Sequence, residues 1–229
     1  MKTAICISGQ PRNVHLAFPT INATLLEPNS PDVFIHLWLN KEDLDKPHFN
    51  SWGDSVGTID NDIIGNIFKK YNPKKIKIEN QIDFPQFNKY NLSPYQKNMV
   101  SMLYSMKQSN NLKKDYELEN NFLYDAVIRS RFDLALEETI KINSLDLDDK
   151  VYCLKDCHYH NGVNDQFAVG NSKNMDIFNS TYDNLDEFLS TFKQYTSYAC
   201  GETAVYHSTW LKNRITIIQL STNYKLLRS

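Results

Sequence analysis

Residues 124–133 read Tyr-Asp-Ala-Val-Ile-Arg-Ser-Arg-Phe-Asp, a segment in which an apolar run leads directly into charged residues. Its apolar centre predicts a buried strand over 125–131. Arg129, Arg131 and Asp133 alternate along an extended chain, so we expect their side chains on one face. Two guanidinium groups beside one carboxylate suit a phosphate-bearing ligand, and Asp133 is available to a hard divalent cation. The alternative is a salt-bridged strand end on the rim of the sheet.

On both sides of this stretch, the signals for strands and helices alternate along the chain. Further strands are predicted at 2–8, 32–39, 75–79, 150–154, 166–169 and 214–220. Helices are predicted at 14–26, 63–71, 94–116, 173–182, 184–195 and 202–212. Pro19 is expected to kink the first helix or to delay its start, and residues 40–60 predict a long loop. Residues 1–229 are therefore predicted to form one α/β domain with a mostly parallel central sheet flanked by helices.

The composition argues against several classes of protein. The 229 residues carry 25 Lys and Arg against 27 Asp and Glu, so no basic excess is available to bind a nucleic-acid backbone. The glycine-rich fingerprints of dinucleotide-binding enzymes and P-loop NTPases are both absent. The sequence has no signal-like leader and no run of about 18 apolar residues, so a soluble, intracellular and cytoplasmic protein is expected. Its four cysteines are too few for a disulfide scaffold and are expected to be free thiols.

A second polar cluster follows the first predicted strand, where residues 8–12 read Ser-Gly-Gln-Pro-Arg. Small residues allow backbone amides to approach a ligand closely, and the planar fork of Arg12 suits a diphosphate. An ordinary strand-to-helix turn with a solvated arginine is the alternative. In parallel sheets, ligands bind at the carboxyl ends of the strands, and this cluster falls there, as does the one that ends at Asp133.

A third cluster surrounds Asp165, which lies between Asn164 and Gln166 at the start of a predicted strand. Asp165 is a candidate to orient an acceptor hydroxyl or to act as a general base, with an Asx turn as the alternative. His36, within the apolar second strand, is either a ligand or a satisfied core histidine. Glu202 opens a predicted helix, where acidic residues are expected in any case.

Four potential zinc ligands lie close together in the sequence. They are Cys153, Cys157, His158 and His160. Their spacing differs from the usual C-x₂-C hairpin, and four ligands in so short a stretch strain tetrahedral closure. Free thiols are the interpretation that this spacing favours.

Four segments, taken in order, resemble the small glycosyltransferases of the GT-A fold. They are Ile-Ser-Gly-Gln-Pro-Arg at 7–12, Asp-Val-Phe-Ile-His-Leu-Trp at 32–38, the stretch at 124–133, and Val-Asn-Asp-Gln-Phe-Ala-Val-Gly at 163–170. The group that the sequence resembles is found in large algal viruses and in bacterial surface-polysaccharide loci. The resemblance spans positions 5–220, nearly the whole chain.

The resemblance implies a hexosyltransferase-type enzyme that moves a sugar from a nucleotide-sugar donor to a hydroxyl of a glycan or glycoprotein acceptor. GT-A enzymes hold Mn²⁺ or Mg²⁺ with a D-x-D motif, and that position here reads Arg131-Phe132-Asp133, so only the second acid matches. Asp133 is therefore the implied metal or diphosphate ligand, and Asp165 is the implied catalytic base facing the acceptor. The implied nucleotide-sugar ligands are Ser8, Gly9, Gln10, Arg12, His36, Arg129 and Arg131.

Two other functions fit the same sequence. A non-catalytic nucleotide- or carbohydrate-binding module of the same fold is compatible with the incomplete D-x-D motif and with an aromatic content of 12%. A nucleotidyltransferase is a further alternative, although the sequence contains no glycine-rich activation loop.

Overall fold

The central feature of the fold is a seven-stranded sheet. The computed structural model describes residues 1–49, 53–155 and 161–227. The strands are β1 (Thr3–Gly9), β2 (Asp32–Trp38), β3 (Pro47–Phe49), β4 (Ser55–Thr58), β5 (Lys75–Glu79), β6 (Ala126–Ser130), β7 (Leu134–Leu136), β8 (Lys150–Leu154), β9 (Ala168–Gly170), β10 (Thr216–Leu220) and β11 (Tyr224–Leu226). The central sheet has the order β10-β8-β9-β6-β1-β2-β5, while β3 pairs with β4 and β7 pairs with β11.

Most neighbouring strands of the central sheet are parallel. β1 lies between β2 and β6 and is parallel to both, β2 is parallel to β5, and β8 is parallel to β10. β9 runs antiparallel to both of its neighbours, β6 and β8. The prediction of an α/β fold with a mostly parallel sheet is therefore confirmed. Because β1, β2 and β6 run in the same direction, their carboxyl ends meet at one edge of the sheet.

Helices cover both faces of the sheet. They are α1 (Val14–Ile21), α2 (Glu27–Asn29), α3 (Ile63–Tyr71), α4 (Pro94–Asn120), α5 (Ser172–Asn179), α6 (Leu185–Thr191) and α7 (Gly201–Tyr206). Side chains alternate along β1, so that Ile5 and Ile7 pack with α1 and α3 while Ala4 and Cys6 pack with α4. In the described part of the chain, no helix combines the length and the apolar character needed to cross a membrane.

The first helix differs from its prediction in winding rather than in position. It begins at Val14 although Pro19 lies inside it, and a π-helical turn follows over Asn22–Leu26. Proline has no N–H to donate to the preceding turn, and a wider turn is a common way for a helix to absorb such a defect. The effect of Pro19 is therefore a local change of winding and not a delayed start.

The prediction of a long loop over 40–60 is wrong for part of that segment. β3 and β4 form a short antiparallel pair within it, and Lys41–Asp43 forms a turn of 3₁₀ helix. Most side chains of these two strands are not buried, so their sequence lacks the alternation of apolar and polar residues that marks a half-buried strand. The predicted strand at 166–169 also begins later, at Ala168, because a turn occupies the residues before it.

Candidate active site

A cleft of about 1230 Å³ lies at the carboxyl ends of β1, β2 and β6. Its walls come from the segment after β1, the segment after β6, the N-terminal part of α4, the loop before β9, the start of α7, and β11. This is the edge at which the topology of a parallel sheet leaves room for a ligand. Eight of the predicted site residues line this one cleft: Ser8, Gly9, Gln10, Arg12, Arg129, Arg131, Asp133 and Asp165.

Arg129 is the most unusual side chain of the cleft. It is 1% exposed, and its Nε and Nη1 atoms have no hydrogen-bond partner among the described residues. Burial lowers the pKa of Arg129 to about 10, the charge of Arg131 adds to this effect, and Asp165 and Asp133 oppose it. Because buried donors are nearly always paired in native proteins, a cleft-lining guanidinium with two unpaired donor atoms is suited to a bound anion.

Arg131 and Asp133 bind each other. Arg131 Nε donates to Asp133 Oδ1 at 2.7 Å, and Arg131 Nη2 donates to Asp133 Oδ2 at 2.8 Å. Such a bidentate pair fixes the plane of the guanidinium group. The sequence-based expectation that these two residues share one face is met, and the alternative of a salt-bridged strand end is also partly met.

This pairing bears on the divalent cation that the GT-A resemblance implies. Mg²⁺ demands about six oxygen ligands in octahedral geometry, and Asp133 supplies one carboxylate whose two oxygens both accept hydrogen bonds from Arg131. Within the described ranges, no group of three His, Cys, Asp or Glu side chains is placed to hold a metal ion. The described residues therefore place one carboxylate, already paired with Arg131, at this position, and they do not by themselves complete a cation site. Cys153 is a buried free thiol, and the other three potential zinc ligands lie outside the described residues.

Asp165 projects into the cleft from a well-defined turn. Asn164 Oδ1 accepts hydrogen bonds from the backbone N–H of Gln166 at 2.9 Å and of Phe167 at 3.0 Å, which is the predicted Asx turn. The turn holds Asp165 in a buried position on the cleft wall. Burial raises the pKa of Asp165, and the charges of Arg129 and Arg131 oppose that rise.

Glu202 is a cleft residue that the sequence-based assignment left out. It lies in the first turn of α7, is 5% exposed, and lines the same cleft as Asp165. Its Oε2 atom has no hydrogen-bond partner in the described part of the chain. Burial, and then the negative charge of Asp165, raise the pKa of Glu202 to about 7. Because acids are common in the first turn of a helix, the sequence did not distinguish Glu202 as a cleft residue.

β11 also contributes to the cleft, and no sequence signal predicted it. β11 pairs antiparallel with β7, and the backbone N–H of Leu227 donates to the carbonyl of Asp133 at 2.8 Å. Tyr224 and Lys225 line the cleft, and the Nδ2 of Asn164 donates to the Tyr224 hydroxyl at 3.0 Å. This short strand adds a lysine to the cations on the cleft wall.

His36 does not reach the cleft. It is fully buried, with Nδ1 2.7 Å from the Ser105 hydroxyl and Nε2 2.8 Å from a Glu79 carboxylate oxygen. Burial lowers the pKa of His36 to about 4, so the ring is neutral at physiological pH. The structure therefore agrees with the alternative of a satisfied core histidine and gives His36 no contact with a ligand in the cleft.

Fold and site together define an α/β protein with an arginine-lined, acid-containing cleft at the carboxyl ends of its parallel strands. The sequence profile of the family described as a domain of unknown function, DUF7796, matches residues 1–199, and the chain belongs to this family. No curated protein matches the sequence.

Two of the solved structures to which this chain is similar are glycosyltransferases. The apo form of the glycosyltransferase GlyE from Streptococcus pneumoniae TIGR4 is 13% identical, with a TM-score of 0.45 over 96% of this chain and 45% of that one. The galactosyltransferase LgtC, in complex with donor and acceptor sugar analogs, is 10% identical, with a TM-score of 0.49 over 95% of this chain and 73% of that one. The chain thus spans less than half the length of GlyE. Both TM-scores lie below 0.5, so the function proposed below is inferred from the residues that line the cleft.

Proposed function

We propose that this protein is a glycosyltransferase that moves a sugar from a nucleotide-sugar donor to a hydroxyl of a glycan or glycoprotein acceptor. The observation that carries the proposal is Arg129, a buried guanidinium that lines the cleft with unpaired Nε and Nη1 atoms. Arg12 and Arg131 line the same cleft and add two more planar cations. This arrangement suits the diphosphate of a nucleotide sugar better than it suits a neutral ligand.

The chemical demand of sugar transfer is the stabilisation of the nucleoside diphosphate as the bond to the anomeric carbon breaks. Cationic groups fixed before the reaction supply this stabilisation most effectively in a site of low dielectric. Arg129 is held by burial, and Arg131 by its bidentate bond to Asp133. We assign donor binding to these arginines and to Ser8, Gly9, Gln10 and Arg12.

The second demand is a group that accepts the proton of the acceptor hydroxyl. Two carboxyl groups, those of Asp165 and Glu202, line the cleft wall beside the arginines. Both have a raised pKa, chiefly because they are buried. A buried carboxyl group whose pKa is close to the working pH is well matched to general-base catalysis.

Ligand binding tests the donor site directly. The protein is screened by thermal shift against UDP, GDP, dTDP, CMP and their sugars, in EDTA and in Mn²⁺. A ligand at 100-fold its Kd adds about 2.7 kcal/mol to the free energy of unfolding, which a shift in Tm reveals. We expect one nucleotide and its sugar to stabilise the protein. Arg129→Met is expected to reduce this shift to about half or less, and the exposed Arg214→Met serves as the matched control.

A second assay separates the transferase from a non-catalytic binding module. A transferase releases nucleoside diphosphate from the nucleotide sugar that it binds, slowly with water as acceptor and faster with the cognate acceptor. A binding module gives the thermal shift without release. Absence of any shift in a folded sample would refute a nucleotide-sugar site in this cleft.

A further inference from the structure

Close packing of two glycines brings Asp165 and Glu202 into one buried region. A Cβ atom at Gly201 would overlap the Oδ2 atom of Asp165, and a Cβ atom at Gly162 would lie 2.5 Å from the carbonyl carbon of Glu202. The backbone N–H of Val163 donates to the carbonyl of Glu202 at 3.1 Å, which ties the two segments together. The loop before β9 and the start of α7 therefore approach each other as closely as their backbones allow.

The charges that face the two carboxyl groups differ. Asp165 faces the guanidinium groups of Arg129 and Arg131, which favour its ionised form. Glu202 faces the negative charge of Asp165 and, less strongly, the positive charge of Arg131. From the neighbouring elements, Cys200 and Tyr95 also face this region, and the pKa of each is raised, chiefly by burial. Two carboxyl groups that share a desolvated site do not both ionise at low cost. Burial and the negative charge of Asp165 therefore raise the pKa of Glu202, and the ionised Glu202 that forms near neutral pH is the state that can accept a proton.

We propose that Glu202 is the catalytic residue that takes the proton of the acceptor hydroxyl, and that Asp165 is a positioning residue whose negative charge offsets the positive charges of Arg129 and Arg131. This inference rests on the proposed function and divides its two carboxyl groups into separate roles. Glu202 Oε2 is suited to receive a proton because it lines the cleft and accepts no hydrogen bond from the described residues. Protonation of Asp165 would instead leave the buried guanidinium group of Arg129 and the partly exposed one of Arg131 with less counter-charge.

The transfer step balances with these groups alone. The acceptor oxygen forms a bond to the anomeric carbon, and the bond from that carbon to the diphosphate oxygen breaks. The electron pair of the broken bond leaves on the diphosphate, where the arginines stabilise the charge. The hydroxyl proton moves to Oε2 of Glu202. In the reaction with water, the same atoms move with water in place of the acceptor.

The test compares Glu202→Gln and Asp165→Asn with the exposed control Glu42→Gln. Release of nucleoside diphosphate is measured from the nucleotide sugar that the binding screen identifies, with water as acceptor, across pH. We expect Glu202→Gln to lower kcat at least about 100-fold while the Kd of the donor stays unchanged. Asp165→Asn should raise the KM for the donor and move the acidic midpoint of the kcat profile below about pH 7, because Glu202 then loses its negative neighbour.

A direct titration keeps the inference testable if Asp165→Asn has no measurable activity. The carboxyl carbon of Glu202, assigned by comparison with Glu202→Gln, is followed by NMR in the wild type and in Asp165→Asn. The midpoint is expected near neutral pH in the wild type and lower in the variant, and an unchanged midpoint would overturn the coupling of the pair. Full kcat in Glu202→Gln would overturn this inference alone, whereas failure of the wild type to bind any nucleotide sugar would overturn the proposed function as well.

Discussion

Replacement of Glu202 by glutamine should stabilise the protein at neutral and alkaline pH. The environment of Glu202 raises its pKa from the ordinary 4.5 to about 7, a difference of roughly 2.5 units. A group whose folded-state pKa is raised contributes stability below its unfolded-state pKa and loses that contribution as the pH rises through the folded-state value. Each unit corresponds to about 1.36 kcal/mol, so ionisation of this one buried carboxyl group costs about 3 kcal/mol in the folded state.

The prediction concerns a difference between two proteins, because other groups titrate over the same range. Urea unfolding is measured for wild type and for Glu202→Gln from about pH 4 to about pH 8. The free energy of unfolding of the variant minus that of the wild type should rise by about 3 kcal/mol across this window, most steeply between the unfolded-state and folded-state pKa values. In a chain of this size, that difference corresponds to about 6–12 °C in Tm.

Two control variants show whether the pH-dependent difference in the free energy of unfolding comes from ionisation of Glu202. Glu42→Gln removes an exposed acid that does not line the cleft and serves as the matched control for the substitution itself. Asp165→Asn removes the neighbouring negative charge and should reduce the pH-dependent difference that Glu202 causes. A flat difference for Glu202→Gln would show that Glu202 ionises as readily in the folded chain as in the unfolded one. Burial beside Asp165 would then not raise the pKa of Glu202.

Three further predictions test other parts of the structure. Arg129→Met should weaken the binding of the identified nucleoside diphosphate at least about tenfold in calorimetry, because hydrogen bonds to a charged group are lost, and equal affinity would argue against a diphosphate in this cleft. Lys113→Met should lower the free energy of unfolding by about 3–5 kcal/mol in urea, because Lys113 Nζ lies 2.9 Å from Glu117 in a buried ion pair, whereas the exposed Lys114→Met should change it little. The lowered pKa of His36 should cost wild type up to about 3 kcal/mol as the pH falls from 6.5 to about 4, a loss that His36→Gln should not show in the same titration.

The sequence predicts the fold well wherever burial and pattern agree. The helix at Ile63–Tyr71 and the strand at Lys75–Glu79 have the predicted bounds, because each is a short amphipathic or alternating run between turn residues. β3 and β4 could not be predicted, since few of their side chains are buried and nothing in their sequence records the pairing. β11 is held by pairing with β7 across a long stretch of chain, and such contacts leave no local signal.

The part of the site that lies at the carboxyl ends of the parallel strands could be predicted from the sequence. Polar residues after β1 and β6 meet because parallel neighbouring strands end at the same edge, and strand order follows from a few rules of connection. His36 lies on a strand that also ends there, but its side chain points into the packing against α4, where it contacts Ser105. Glu202 comes from a helix whose start packs closely on Gly162, Met102 and Asp165, and no local pattern in the sequence reveals these contacts.

The Arg131-Phe132-Asp133 segment allowed two expectations from its sequence, a site for a phosphate-bearing ligand or cation and a salt-bridged strand end. The expected extended chain does not reach Asp133, because a turn follows β6 at this point, and this turn brings Arg131 and Asp133 together as a bidentate pair. Because both oxygens of this carboxylate already accept hydrogen bonds from Arg131, the residues at this position favour positive charge from the protein itself. In the proposed donor site, Asp133 acts through Arg131, because the bidentate pair fixes the plane of that guanidinium group. Where other sites would use a second acid to complete a cation site, this chain has a second arginine, Arg129, which lies near the end of β6 and two residues before Arg131.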